Sequence, residues 1–299
     1  MKNMKRFFLF ASVNILILIT LSIVLSVLGV QPYLTSNGIN YTSLMIFCLA
    51  WGFGGAFISL AISRKMAKWM MGVKLIAENT ADMSQRSLVR RVHEFARRAG
   101  LQKMPEVGIY ESDEINAFAT GPSKSRSLVA VSSGLLDNMT EAEVDGVLAH
   151  EIAHIANGDM VTMTLLQGVM NAFVMFLARV AGFFVGQFVD EEKRGFVQFG
   201  VIIALDIFLG ILGSVVVASF SRRREFRADE GGARLAGRDR MIAALERLKL
   251  NYSQMVPAAN RNESSIASLK IFGRKAKFGK LFSTHPDLDL RIANLKGGF

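Results

Sequence analysis

Four long apolar runs interrupt this chain, and each is long enough to leave water altogether. They span Phe7 to Val30, about Tyr41 to Ser63, about Val161 to Val189, and Phe196 to Phe220. A helix of about 20 apolar residues crosses the hydrocarbon layer of a bilayer, so each run can form a spanning helix. The first run follows Lys2, Lys5 and Arg6, as a secretory signal would. It exceeds the apolar core of roughly 7–15 residues of such a signal, and no small-residue cleavage pattern follows it. In the second run Gly52, Gly54, Gly55, Ala56 and Ser59 form a small-residue surface that lets a neighbouring helix approach closely. A phosphate-binding loop is excluded there, because no Lys-Ser or Lys-Thr pair follows the glycines.

The third and fourth runs each carry one charge, Arg179 and Asp206. An intramembrane charge is costly unless paired, and the opposite signs predict a pair. Both runs are read as crossing, which returns Ser221 onward to the side the chain left; the alternative is that they rest against a soluble domain. The segment between the first two runs, Gln31 to Asn40, holds no Lys or Arg, whereas Arg64, Lys65, Lys68 and Lys74 follow the second. Basic residues stay in the cytoplasm, so the N-terminus and the segment after Ser63 are expected there.

Charge distribution decides what the net +10 means. Many Lys and Arg residues flank apolar runs, which points to a lipid bilayer as partner and not to nucleic acid. The run Lys270, Arg274, Lys275, Lys277 and Lys280 is read in the same way, as a solvated or headgroup-facing surface. Cys48 is the single cysteine, so intrachain disulfides and thiolate-rich zinc sites are both excluded.

The remaining residues read as a soluble domain in two pieces, 64–160 and 221–299, flanking an apolar pair at 161–220 and preceded by a two-helix anchor at 1–63. The first piece has a polar helix at about Gln85 to Ala99 and strand signals at Glu106 to Tyr110, Ile115 to Thr120 and Ser127 to Ser132. The last two flank Gly-Pro-Ser-Lys-Ser-Arg, a turn-rich connector that predicts a hairpin. Thr140 and Glu143 have the spacing of a capping box opening the next helix. The second piece predicts helices at about Arg222 to Ala236 and Arg238 to Leu250, then a polar stretch from Asn251 to Ser265. The fold class is therefore α+β and mostly helical, an integral membrane protein with about four apolar helices and a small β-sheet.

The chain has four histidines, and two fall in Ala149-His150-Glu151-Ile152-Ala153-His154. In a helix, residues four apart share a face, so His150 and His154 can direct ring nitrogens at one Zn²⁺. Glu151, turned by about 100° from His150, can reach a water beside the ion. His93 has no ligand-like neighbours and is read as a surface histidine. A catalytic zinc takes three protein ligands and leaves one position open. Glu225 and Asp229, also four apart, are candidates: one as ligand, the other accepting a hydrogen bond from a liganding imidazole.

His150-Glu151-x-x-His154, then Asn157-Gly158-Asp159, and later Arg224-Glu225-Phe226-x-Ala228-Asp229, resemble the HtpX-like branch of the M48 zinc metallopeptidases. The resemblance extends to Asn116-Ala117-Phe118-Ala119-Thr120-Gly121, Leu128-Val129-Ala130-Val131-Ser132, Thr284-His285-Pro286 and Arg291, and so covers nearly the whole chain. It implies a zincin-like domain with one Zn²⁺ per chain held by His150, His154 and Glu225, with Glu151 catalytic and Asp229 supporting a ligand. It also implies a domain facing the cytoplasm that cleaves damaged or misassembled membrane proteins in envelope quality control and the stress response. The chain departs from the family at Arg227, where a histidine often stands; that position is not a ligand, so the metal set is left intact.

His285 is the candidate oxyanion stabiliser, against the plainer reading of a His-Pro pair that opens a loop or helix. Arg291 is expected to position His285 or to bind substrate, and Asn116 to hold a substrate amide beside a strand edge that accepts an extended peptide. Rival readings are a prenyl-protein (CaaX-type) peptidase, a zinc-stabilised scaffold or holdase, and a transporter. Four apolar runs are few for the first, Glu151 has no purpose in the second, and paired helix breaks are missing for the third.

Overall fold

A computed structural model of the protein describes residues 34–35, 38–77, 79–255 and 285–297. The run Phe7 to Val30, the basic run from Lys270 to Lys280, and the polar stretch beyond Met255 lie outside the described residues. A short antiparallel pair, β1 (Leu34–Thr35) and β2 (Gly38–Ile39), precedes helix α1 (Tyr41–Met70). Then come β3 (Lys74–Leu75), α2 (Met83–Arg98), β4 (Glu106–Tyr110), β5 (Ala117–Ser123), β6 (Arg126–Ser132) and α3 (Ser133–Asn138). Helices α4 (Glu141–Asn157), α5 (Asp159–Gly186), α6 (Glu191–Ala236), α7 (Arg238–Met255) and α8 (Leu288–Leu295) complete the order. The chain divides into two compact units, each made of two stretches: up to residue 60 with 162–217, and 61–161 with 218 onward.

In the first unit, α1, α5 and α6 are the three helices among the described residues long and apolar enough to cross a membrane, with 30, 28 and 46 residues. Its core is thin: Leu44, Cys48 and Ala172, with Phe47, Met175, Phe176 and Val180 packed around them. Gly52 explains the close approach of α1 and α5. A β-carbon there would lie 2.6 Å from the Ala172 nitrogen and 2.7 Å from the Gly168 oxygen, so only glycine lets the backbones meet. Large apolar side chains such as Phe173, Phe199, Ile207 and Phe208 point outward, as lipid-facing side chains do. The expected Arg179–Asp206 pair is present at 3.9 Å; Arg179 also donates to the Met175 carbonyl and lies 5.4 Å from the centre of the Phe47 ring.

The second unit is built on the sheet β3-β4-β6-β5. Strand β6 runs parallel to β4, with Val107 opposite Val129, and antiparallel to β5, with Ala117 opposite Val131. Every residue of β6 from Ser127 to Ser132 is buried, which suits a central strand with an unbroken apolar run. Among the described residues strand β5 has β6 as its one neighbour in the sheet, so it forms an edge there. Helices α2 and α4 close the core: Leu88, Val92 and Phe95 from α2 meet Val144, Leu148 and Ile152 from α4 and Val129 and Val131 from β6. Both helices start where their caps place them. Asp82 accepts from the amides of Ser84 and Gln85, and Thr140 and Glu143 form the reciprocal box. His93 is half-buried and bonded to the Pro105 carbonyl, a structural contact where a surface position was expected.

Of the boundaries that differ from the sequence reading, two bear on the site. The hairpin strand runs from Ala117 to Ser123, later than Ile115 to Thr120, with Gly121 at φ 149° lying within the strand. More consequential, the fourth apolar run and the helix expected at Arg222 to Ala236 are one helix, α6. No Gly or Pro stands between Phe220 and Glu230, and Arg, Glu and Ala there are strong formers; Gly231 and Gly232, farther along, cost the helix about 1 kcal/mol each without ending it. Gly237, at φ 102°, marks its end.

Candidate active site

Helix α4 carries His150 and His154 one turn apart, their rings edge to face with centroids 4.6 Å apart. The two Nε2 atoms face one another at 3.1 Å. The third donor comes from the polar end of α6, where Glu225, 1% exposed, stands 3.5 Å from His150 Nε2 and 3.4 Å from His154 Nε2. This approach depends on Gly231 and Gly232. A β-carbon on the first would lie 2.7 Å from the Ala153 Cβ, and on the second 3.1 Å from the His150 nitrogen. Bare backbone on α6 therefore lets it press against the face of α4 that bears the histidines.

The donor set fits zinc. Four-coordinate Zn²⁺ at about 2.0–2.1 Å from each donor keeps neighbouring donors about 3.3 Å apart. The ring nitrogens stand 3.1 Å apart, Glu225 Oε2 lies 3.5 Å from His150 and its Oε1 3.4 Å from His154, so each carboxylate oxygen faces one ring at close to that spacing. Two imidazole nitrogens and one carboxylate oxygen are also the ligand chemistry of catalytic zinc sites that keep one position open.

Around these donors the charges are tightly held. Asp229, fully buried, accepts from Arg291 Nε at 2.8 Å and Nη2 at 2.6 Å, and its Oδ1 lies 3.0 Å from His150 Nδ1. That last contact is a close ionic approach without an aligned hydrogen bond. His154 is held more firmly, with its Nδ1 bonded to Asp159 Oδ2 at 2.7 Å. Asp159 in turn accepts from Arg227 Nη2 at 2.6 Å. Gly158, at φ 74°, caps α4 in the left-handed conformation and turns the chain so that Asp159 comes back to His154.

Proton affinities follow from this packing. Burial works against a charged His154, but the hydrogen bonds of Asp159 and Glu225 and the charge of Glu151 outweigh it and push its pKa up to about 9. His150 is raised as well: burial opposes the charge, and Asp229 and Glu225 overcome it. Burial would lift the carboxyl of Glu225, yet His150, His154 and His285 together hold it far below the usual carboxylate range. Asp229 is depressed in the same sense by Arg291 and His150, again against burial.

A model of peptidase family M48 matches residues 82–298. The chain belongs to that family. As an M48 member it is a metallopeptidase, hence a hydrolase, and its relatives agree over almost the full length. It is similar to the "Protease HtpX homolog" of Bacillus subtilis, 55% identical over 98% of this chain and 99% of the relative. It is similar also to "Protease HtpX" of Shewanella piezotolerans, 52% identical with the same coverage. The fold resembles the crystal structure of S. mikatae Ste24p with a TM-score of 0.66 at 18% identity, covering 98% of this chain and 64% of that one.

The remaining site candidates of this M48 chain divide by position. His285 reaches the donor set, its Nδ1 3.0 Å from Glu225 Oε2, while its side chain stays 64% exposed. Asn116 is exposed just before edge strand β5, and its own backbone amide and carbonyl are both bonded to Ser132. Arg291 departs from the substrate-binding expectation. It is buried and its guanidinium is committed to Asp229, with Nη1 also 3.5 Å from Glu225 Oε2. A cation spent on two internal carboxylates has nothing left to offer a substrate. Asp159 and Arg227 were not among the expected site residues. The signal for the first is its place directly after a helix-capping glycine, which allows a short side chain to reach back one turn.

Proposed function

We propose that this metallopeptidase is a zinc-dependent endopeptidase, anchored in the bacterial inner membrane, that hydrolyses misfolded or damaged membrane proteins from the cytoplasmic side. The observation that carries the reading is the convergence of His150 Nε2, His154 Nε2 and a Glu225 carboxylate oxygen from two helices onto one point. In this reading those three hold one Zn²⁺. When bound, the ion supplies Lewis acidity, acidifying water and polarising the scissile carbonyl. Glu151, adjacent to His150 on α4 and half-buried, accepts the proton of the attacking water and passes it to the leaving nitrogen. His285, on the exposed side of Glu225, donates to the developing oxyanion. Arg291 holds Asp229 in place behind His150. The β5 edge takes an extended substrate by strand addition, with the Asn116 side chain fixing a substrate amide.

Orientation follows from Lys2, Lys5 and Arg6 before the first apolar run and Arg64, Lys65 and Lys68 after the second. Envelope quality control as the setting draws on the relatives named as HtpX proteases and on an anchor that keeps the enzyme among membrane proteins.

The test is Glu151→Gln in purified, zinc-loaded protein given an unfolded membrane protein and, separately, a prenylated peptide. Turnover of the membrane protein should fall by about 10²–10⁴-fold while bound zinc stays equimolar. Undiminished turnover removes Glu151 from the mechanism, and cleavage confined to the prenylated peptide replaces the substrate reading.

A further inference from the structure

Two of the three proposed zinc ligands are imidazoles, and they are supported unequally. His150 has a carboxylate nearby at 3.0 Å but, among the described residues, no aligned acceptor for its Nδ1. His154 has an acceptor at 2.7 Å in Asp159, whose side chain is 2% exposed. A carboxylate so buried needs compensation for the water it has lost. Arg227 provides it through Oδ1, at 2.6 Å, leaving Oδ2 for the imidazole. Arg227, Asp159 and His154 thus form a line of three groups that joins α6 to the turn between α4 and α5.

We infer that Arg227, acting through Asp159, is a positioning residue that fixes the tautomer and ring plane of His154 for metal binding. With Nδ1–H given to Asp159, the Nε2 lone pair is directed toward Glu225 and His150. Arg227 restrains the carboxylate itself: a lone buried Asp159 is free to swing toward the amides of the first turn of α5, whereas one oxygen tied to a guanidinium leaves the other facing the ring. Arg227 is half-exposed, and its ion pair is with Asp159 and not with a donor atom, so its effect passes through Asp159. The inference rests on the zinc reading of the site.

The test measures metal binding, not turnover. Full-length protein in detergent is stripped with chelator, and its Zn²⁺ affinity is determined by competition; Co²⁺ is then substituted and its visible absorption recorded as a report on ligand geometry. Asp159→Asn should weaken zinc by about 10–100-fold and shift the cobalt bands. Arg227→Gln should weaken it severalfold, Arg227→Lys should restore most of that loss, and the Asp159→Asn/Arg227→Gln double variant should bind no worse than Asp159→Asn alone. Because Arg227 is half-exposed, its variants carry the test even where Asp159→Asn fails to fold. Arg227 variants with wild-type affinity and cobalt spectrum overturn the inference, as do fully additive losses in the double variant. Wild-type protein that takes up neither ion overturns the zinc reading and this inference together. Unchanged Arg227 variants, in a protein that does lose zinc on Glu225→Ala, overturn this inference alone.

Discussion

Each unit of the molecule contains an Arg–Asp pair, and the two pairs are built differently. In the apolar unit Arg179 and Asp206 stand 3.9 Å apart, joined by one loose contact, with Arg179 leaning on a backbone carbonyl and an aromatic ring. In the catalytic unit Arg291 grips Asp229 through two bonds of 2.6 and 2.8 Å, and both are buried against the histidines. The first pair neutralises a charge that lipid will not solvate. The second orients a carboxylate whose neighbours are meant to bind something. Short bidentate geometry marks charges that hold a position, while a loose single contact suffices for charges that only need cancelling.

The largest effect expected from breaking this contrast lies in the catalytic unit. Glu225→Ala removes one of three converging donors, so zinc affinity should drop by more than about 100-fold and activity with it, the loss of a ligand exceeding that of a supporting partner. Titration against a chelator checks this, and full occupancy in the variant would exclude Glu225 as a ligand. An intermediate effect is expected from Asp206→Leu. It strands Arg179 among apolar helices and should cost about 2–3 kcal/mol of stability, seen as a lower melting temperature. Arg179→Leu/Asp206→Leu should recover most of that loss, and zinc affinity should not change in either variant. A parallel fall in zinc affinity would show that the apolar pair does more than cancel charge.

The smallest effect sharpens the contrast through pH. His154 has its pKa raised from about 6.5 to about 9 by its carboxylate partners, burial notwithstanding. A raised pKa contributes stability that is complete below the unfolded value and is lost as pH rises through the folded one. Chelator-stripped protein should therefore melt a few degrees lower at pH 9.5 than at pH 6. Protein reloaded with Zn²⁺ should show less of this slope, since the ring nitrogen then holds the ion. A stripped protein with a flat profile would mean that the two carboxylates do not hold the proton there.

Much of this was readable in advance because local rules govern it. Strand β4 spans the expected Glu106 to Tyr110, the Thr140–Glu143 box opens α4, and the opposite signs of Arg179 and Asp206 predicted their pairing. The continuity of α6 was missed, because a change from apolar to charged residues resembles a boundary although no residue there stops a helix. The Asp229 contact of Arg291 is not legible in the sequence for a different reason: the two lie 62 residues apart, and spacing says nothing about which side chain a cation will meet.

By itself the sequence determined which stretches leave water, which helix carries paired imidazoles, and which residues have the chemistry to bind a cation. These follow from periodicity, length and side-chain type, all local properties. The tertiary structure alone decided that Glu225 faces the two Nε2 atoms, that Gly231 and Gly232 let two helices come near enough for this, and that Arg227 reaches Asp159 behind His154. Those outcomes depend on distances between residues tens of positions apart in the chain, and only packing sets such distances.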